Sequence, residues 1–85
     1  MNKIIDCHLH DYIEIACLFG YQLRLELINQ SAIEGQAINT ETSADKREWL
    51  VLDIEGRREK VDLGEIRIMW AIAPNPHFDK VEFPA

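Results

Sequence analysis

The sequence predicts a mostly β (α+β) fold in which one N-terminal helix lies on a small barrel of five or six strands. Three observations carry this. The apolar period changes from helical to alternating at Gly20, about five short β-rich runs follow, and turn residues separate most of them. A flat sheet of such strands would leave exposed edges, and closing it fully or partly removes them. The 85 residues make one domain, divided into a helix over 11–19, barrel strands within 22–73 and a last edge strand or tail over 74–85.

Asp11 followed by Glu14 reads as a capping box, with Asp11 as N-cap and Glu14 reaching back. Gly20 supplies the left-handed residue that ends the helix. Around the helical wheel these two acids share one narrow polar wedge, and Tyr12, Ile13 and Ile15 to Phe19 cover the rest. That is more apolar surface than one core-facing stripe needs. The helix is either wedged between elements or offers part of itself to a partner.

The alternation in Gln22 to Leu27 turns Leu23, Leu25 and Leu27 inward as a first strand, and Asn29-Gln30-Ser31 makes a turn. Ala32 to Ile38 is the second strand, with Gly35 marking a bulge or sharp bend. The polar run Asn39 to Arg47 reads as the longest loop. Trp49 to Ile54 and Arg57 to Leu63 form a hairpin across Glu55-Gly56. Ile66 to Ala73, almost continuously apolar, reads as a central strand. Pro74-Asn75-Pro76 ends it, and His77 to Phe83 is the final edge strand or tail.

Hydrophobic residues at 47% and charged residues at 28% exclude wholesale disorder, collagen and coiled coil. Nine bases against fifteen acids give a net charge of −6, a poor start for binding phosphates non-specifically. The imbalance is local: residues 1–45 carry two bases and seven acids, whereas residues 46–85 carry seven and eight. The N-terminal part is expected to present an acidic face. No run of 18 apolar residues suggests a membrane span, and the first residues contain no signal-peptide core. A cytoplasmic protein with reduced cysteines is expected.

No catalytic arrangement stands out, because phosphate loops, GxSxG and HExxH are all missing. The expectation is a protein that is not an enzyme and needs no cofactor. Cys7, His8, His10, Cys17 and His77 match no structural-zinc spacing. No metal site is expected, and packing of the thiols is favoured over zinc or a Cys7–Cys17 disulfide. Trp49 and Trp70 could stack RNA bases, but packing as core or half-buried aromatics is the preferred reading. The basic residues that could flank them, Lys46-Arg47 and Arg57-Arg58-Lys60, are interrupted by Glu48, Glu55 and Glu59.

Ile5-Asp6-Cys7, then Asp11, then Glu14-Ile15-Ala16-Cys17 resembles the opening of the Rof (YaeO) family. Its members are small bacterial proteins that bind and inhibit the transcription termination factor Rho. The resemblance continues through Leu23 to Leu27, Glu48 to Asp53 and Arg58 to Ile66, about residues 5–73 in all. It implies a helix on an Sm-like barrel and an antiterminator that docks on the RNA-binding N-terminal domain of the Rho hexamer, blocking RNA loading. Asp11 and Glu14 match the family's helix-start acids, His10 stands where an aromatic is usual, and Lys46 and Arg47 fall in the loop before the third strand. These five residues are the expected partner-binding set. The alternative is an Sm-like RNA-binding module. Net charge favours the Rho inhibitor, monomeric when free and without direct RNA binding.

Overall fold

The computed structural model describes the backbone of residues 7–83 and the side chains from Leu9 onward. Helix α1 spans Cys7–Phe19. Strands β1 (Gln22–Leu27), β2 (Ala32–Thr42), β3 (Glu48–Ile54), β4 (Arg57–Asp62), β5 (Ile66–Ala71) and β6 (Lys80–Glu82) form one antiparallel sheet in the order β4-β3-β2-β1-β5-β6.

The helix begins four residues earlier than the capping-box reading placed it, so Asp11 is not its N-cap and no acid lies in its first turn. Its end is as expected. Gly20 is left-handed at φ 64°, Tyr21 N donates to Ala16 O at 2.9 Å and Gly20 N donates to Cys17 O at 3.3 Å, the paired bonds of a Schellman motif. Leu9, Ile13 and Ala16 recur at helical spacing and bury one face of α1 in the core.

Strand β2 runs four residues past its expected end. Asn39 to Thr42 pairs with Glu48 to Val51, leaving only residues 43–47 as the connecting loop. The run is polar because its side chains face water, and threonine suits a pleated, half-exposed surface. The register slips between Ala37 and Asn39, so the bulge lies just beyond Gly35. Gly35 instead marks a close approach, since a Cβ there would stand 2.8 Å from Ile54 Cγ1 and 3.0 Å from Asp53 O. The β3–β4 hairpin turns through Glu55 and Gly56, both at positive φ (52° and 87°), which fits its right-handed twist.

Chain connectivity requires the sheet to curl. A single 3-10 turn, Leu63–Glu65, carries the chain from β4 to β5, four places along the strand order. Flat strands would set these about 19 Å apart at ~4.8 Å per strand. A turn of three residues rises only about 6 Å. Asp62 Oδ1 caps the turn by accepting from Gly64 N, and Ile28 N donates to Glu65 O, fastening it to the β1–β2 connection.

The sheet nevertheless is not closed, so the fully or partly closed barrel that was expected is not confirmed. β4 and β6 are its edges and do not pair with each other among the described residues. The reason is β6, which occupies the outer edge of β5 that closure with β4 would need. Residues 74–83 are therefore no loose tail: Phe78, Val81 and Phe83 are buried in the same core as Leu23, Leu25, Leu50, Leu52 and Met69.

Candidate partner-binding surface

With Leu9, Ile13 and Ala16 turned inward, the opposite face of α1 carries Asp11, Glu14 and Leu18, all exposed. At about 100° per residue these three, with half-buried Ile15 between them, fall on one stripe. Neither carboxylate has a hydrogen bond or ion pair among the described residues. Leu18 is 77% exposed and its neighbour Phe19 is 56% exposed, so two adjacent large apolar side chains face solvent.

His10 lies beside this stripe and reaches β3. Its Nε2 stands 2.8 Å from Glu48 Oε2, but the ring N–H is not aligned to donate and Nε2 makes no hydrogen bond. The contact ties the helix to Glu48, the first residue of β3, which directly follows the loop that carries Lys46 and Arg47. In that loop Ser43 Oγ donates to Asp45 Oδ1, Lys46 N donates to Ser43 O at 2.9 Å, and Arg47 N donates to Asp45 Oδ1 at 3.3 Å. The Ser43 hydroxyl and the Arg47 amide hold the Asp45 carboxyl below its usual pKa. Arg47 is occupied internally, 3.5 Å from Asp45 and 3.4 Å from Asp62. Lys46 sits at φ 67°, is exposed, and has no ion pair among the described residues. The five expected residues thus divide: Asp11 and Glu14 are free on the helix, His10 meets β3, Lys46 is free in the loop, and Arg47 is an internal brace.

Sequence reasoning missed the aromatic buttress behind the helix end. Phe19 stacks on Tyr21 and on His77, with ring centroids 5.7 and 5.3 Å away, and the Tyr21 hydroxyl lies 2.8 Å from His77 Nδ1. Asn75 Oδ1 fixes the approach of this segment by accepting from His77 N and Phe78 N at 2.8 and 3.0 Å. Nothing periodic in PNPHF announces such a contact. The excess apolar surface of the helix was the one legible signal, and it did not single out Leu18 and Phe19.

Both tryptophans are half-buried and tied inward. Trp49 Nε1 donates to Ser43 Oγ at 3.2 Å and Trp70 Nε1 donates to Glu26 Oε2 at 2.5 Å, while Lys80 covers the Trp70 ring at 5.1 Å. Among the described cations only Lys46 and Arg58 lack a carboxylate neighbour. A free basic groove beside an open ring, as single-stranded RNA needs, is not formed by these residues.

Cys17 is a free, half-buried thiol whose pKa is raised to about 11 by burial and then by the nearby Glu14 carboxylate. Helix α1 contains both cysteines ten residues apart, a rise of about 15 Å. A disulfide needs Cα atoms within about 7 Å, so the intact helix forbids a Cys7–Cys17 bridge. Of the five residues weighed as zinc ligands, Cys7 and His8 lie outside the described side chains. Among the described residues no three His, Cys, Asp or Glu side chains converge.

A helix offering unpaired acids beside exposed apolar side chains, on a scaffold whose own cations are mostly paired, has the character of a small regulatory binding domain. The chain belongs to the ROF family: the family model described as modulator of Rho-dependent transcription termination (ROF) matches residues 4–83. The chain is also similar to the solved structure of YaeO bound to magnesium from Vibrio cholerae O395. The two are 30% identical with a TM-score of 0.81, over 87% of this chain and 96% of that one. No curated protein matches. The family description is that of a regulator, and no described helix is long and apolar enough to cross a membrane.

Proposed function

We propose that this chain is an antiterminator that inhibits Rho by docking on the RNA-binding surface of its N-terminal domain and blocking RNA loading. The observation that carries the reading is the exposed, unpaired pair Asp11 and Glu14 on the outer face of α1. A surface built to hold RNA phosphates is basic and attracts carboxylates, which can accept charge-assisted hydrogen bonds from its Arg and Lys side chains. His10 and Lys46 flank this contact, and Arg47 supports the loop. The chain acts in the cytoplasm on the Rho hexamer as a monomer, without a cofactor or metal and without holding RNA itself. On the same reading the curled sheet is an open version of the Sm-like barrel.

The test is binding to purified Rho. Glu14→Lys is expected to weaken it at least about tenfold, since losing one member of a desolvated charge pair costs ~2–5 kcal/mol and 1.4 kcal/mol is a decade. Asp11 lies inside the helix and makes no cap, so Asp11→Ala removes the charge without a capping loss. Undiminished binding by both folded variants would reject the acidic-helix mechanism.

A further inference from the structure

Leu18 extends the stripe that holds Asp11 and Glu14, and Phe19 stands next to it at the helix end. Both side chains are exposed, and the Phe19 ring is held in place. The Schellman bonds fix the last turn, and His77 and Tyr21 both pack against the Phe19 ring. An exposed ring held in one orientation is suited to act as an anchor, because little freedom is lost on docking, and Leu18 beside it enlarges the apolar patch. Glu14 and Leu18 are four residues apart, about 6 Å along the axis, so the carboxylates and the apolar pair can engage one continuous surface.

Surfaces that bind single-stranded RNA combine cations for phosphates with apolar or aromatic platforms for bases. We infer that Leu18 and Phe19 occupy the base-stacking sites of Rho's RNA-binding surface while Asp11 and Glu14 meet the adjoining cations. The helix then imitates both halves of a nucleotide strand. The inference rests on the proposed docking of α1 on Rho, and it adds an apolar, salt-independent part to that contact. It also gives residues 74–79 a role, because His77 supports one of the two anchors.

The test compares the full chain with Leu18→Gln/Phe19→Gln and with Glu14→Lys, binding to intact Rho over a range of salt concentration. Both apolar positions are exposed, so the double variant is expected to fold, which circular dichroism checks. It should bind at least about tenfold more weakly at every salt concentration, with the wild-type salt dependence retained. Glu14→Lys should flatten that dependence. An uncharged methylphosphonate oligonucleotide, offering bases without phosphate charge, should compete with the wild type and much less with the double variant. Wild-type affinity in the double variant, alongside weakened Glu14→Lys, overturns this inference and leaves the acidic docking standing. Weakened binding with equal competition by the oligonucleotide also overturns it, because the pair then docks outside the base sites. If the wild type does not bind Rho at all, the docking itself fails.

Discussion

Cys17 and Glu14 lie on adjacent turns of α1, and their proximity has a measurable consequence. Burial and the carboxylate both disfavour the thiolate, raising the Cys17 pKa from 9.0 to about 11. The folded state therefore holds the proton more tightly than the unfolded chain. The stabilising contribution is fully present below about pH 9 and is lost as pH rises toward 11. Alkylation of Cys17 at pH 8 should be much slower in the native protein than in urea, as mass spectrometry of the modified peptide would report. Equal rates would contradict the burial. Gly35 offers a second check: Gly35→Ala drives a methyl against Ile54 and the Asp53 carbonyl, and urea unfolding should show a loss of about 1–3 kcal/mol. The sequence marked Gly35 as special because glycine is rare inside a strand. It could not show which neighbour crowds it, since that depends on how tightly β2 and β3 approach.

At the scale of elements, periodicity identified what packing enforces. Leu23 and Leu25 alternate because they enter the core, and Gly20 ends the helix because the chain must turn left-handed there. Boundaries without a clear apolar period were less legible. Cys7-His8-Leu9-His10 lacks a start signal as clear as Asp11 and Glu14, yet the helix includes it. Asn39 to Thr42 reads as loop by polarity, yet it pairs with β3. The C-terminal segment was the least legible, because Phe78, Val81 and Phe83 are too few and too irregularly spaced to show a period. Their burial makes a firm prediction: Phe78→Ala should cost about 3–5 kcal/mol in denaturant unfolding, whereas an exposed tail would lose almost nothing.

For the whole molecule, the charge asymmetry lies along the chain, and two of the N-terminal acids stand on the exposed face of α1. The net −5 of residues 1–45 includes Asp11 and Glu14, which have no ion pair among the described residues, while most described cations of the sheet are paired with its own acids. Composition suggested a basic partner surface, which is part of the proposal, and family membership places the chain among modulators of Rho-dependent termination. The division of the five expected residues into free, contacting and bracing groups depended on three-dimensional neighbours. Arg47, for instance, meets Asp62 only because β4 returns beside the loop.

The central claim is that this chain and RNA compete for one surface on Rho through the acids of α1. The most direct measurement is displacement of a fluorescent single-stranded RNA oligonucleotide from the Rho hexamer by increasing amounts of the chain. The account predicts full displacement by the wild type, at least about tenfold weaker displacement by Glu14→Lys, and weaker displacement as salt is raised because exposed charge pairs are screened. Binding of the wild type to Rho with the RNA still in place would contradict it.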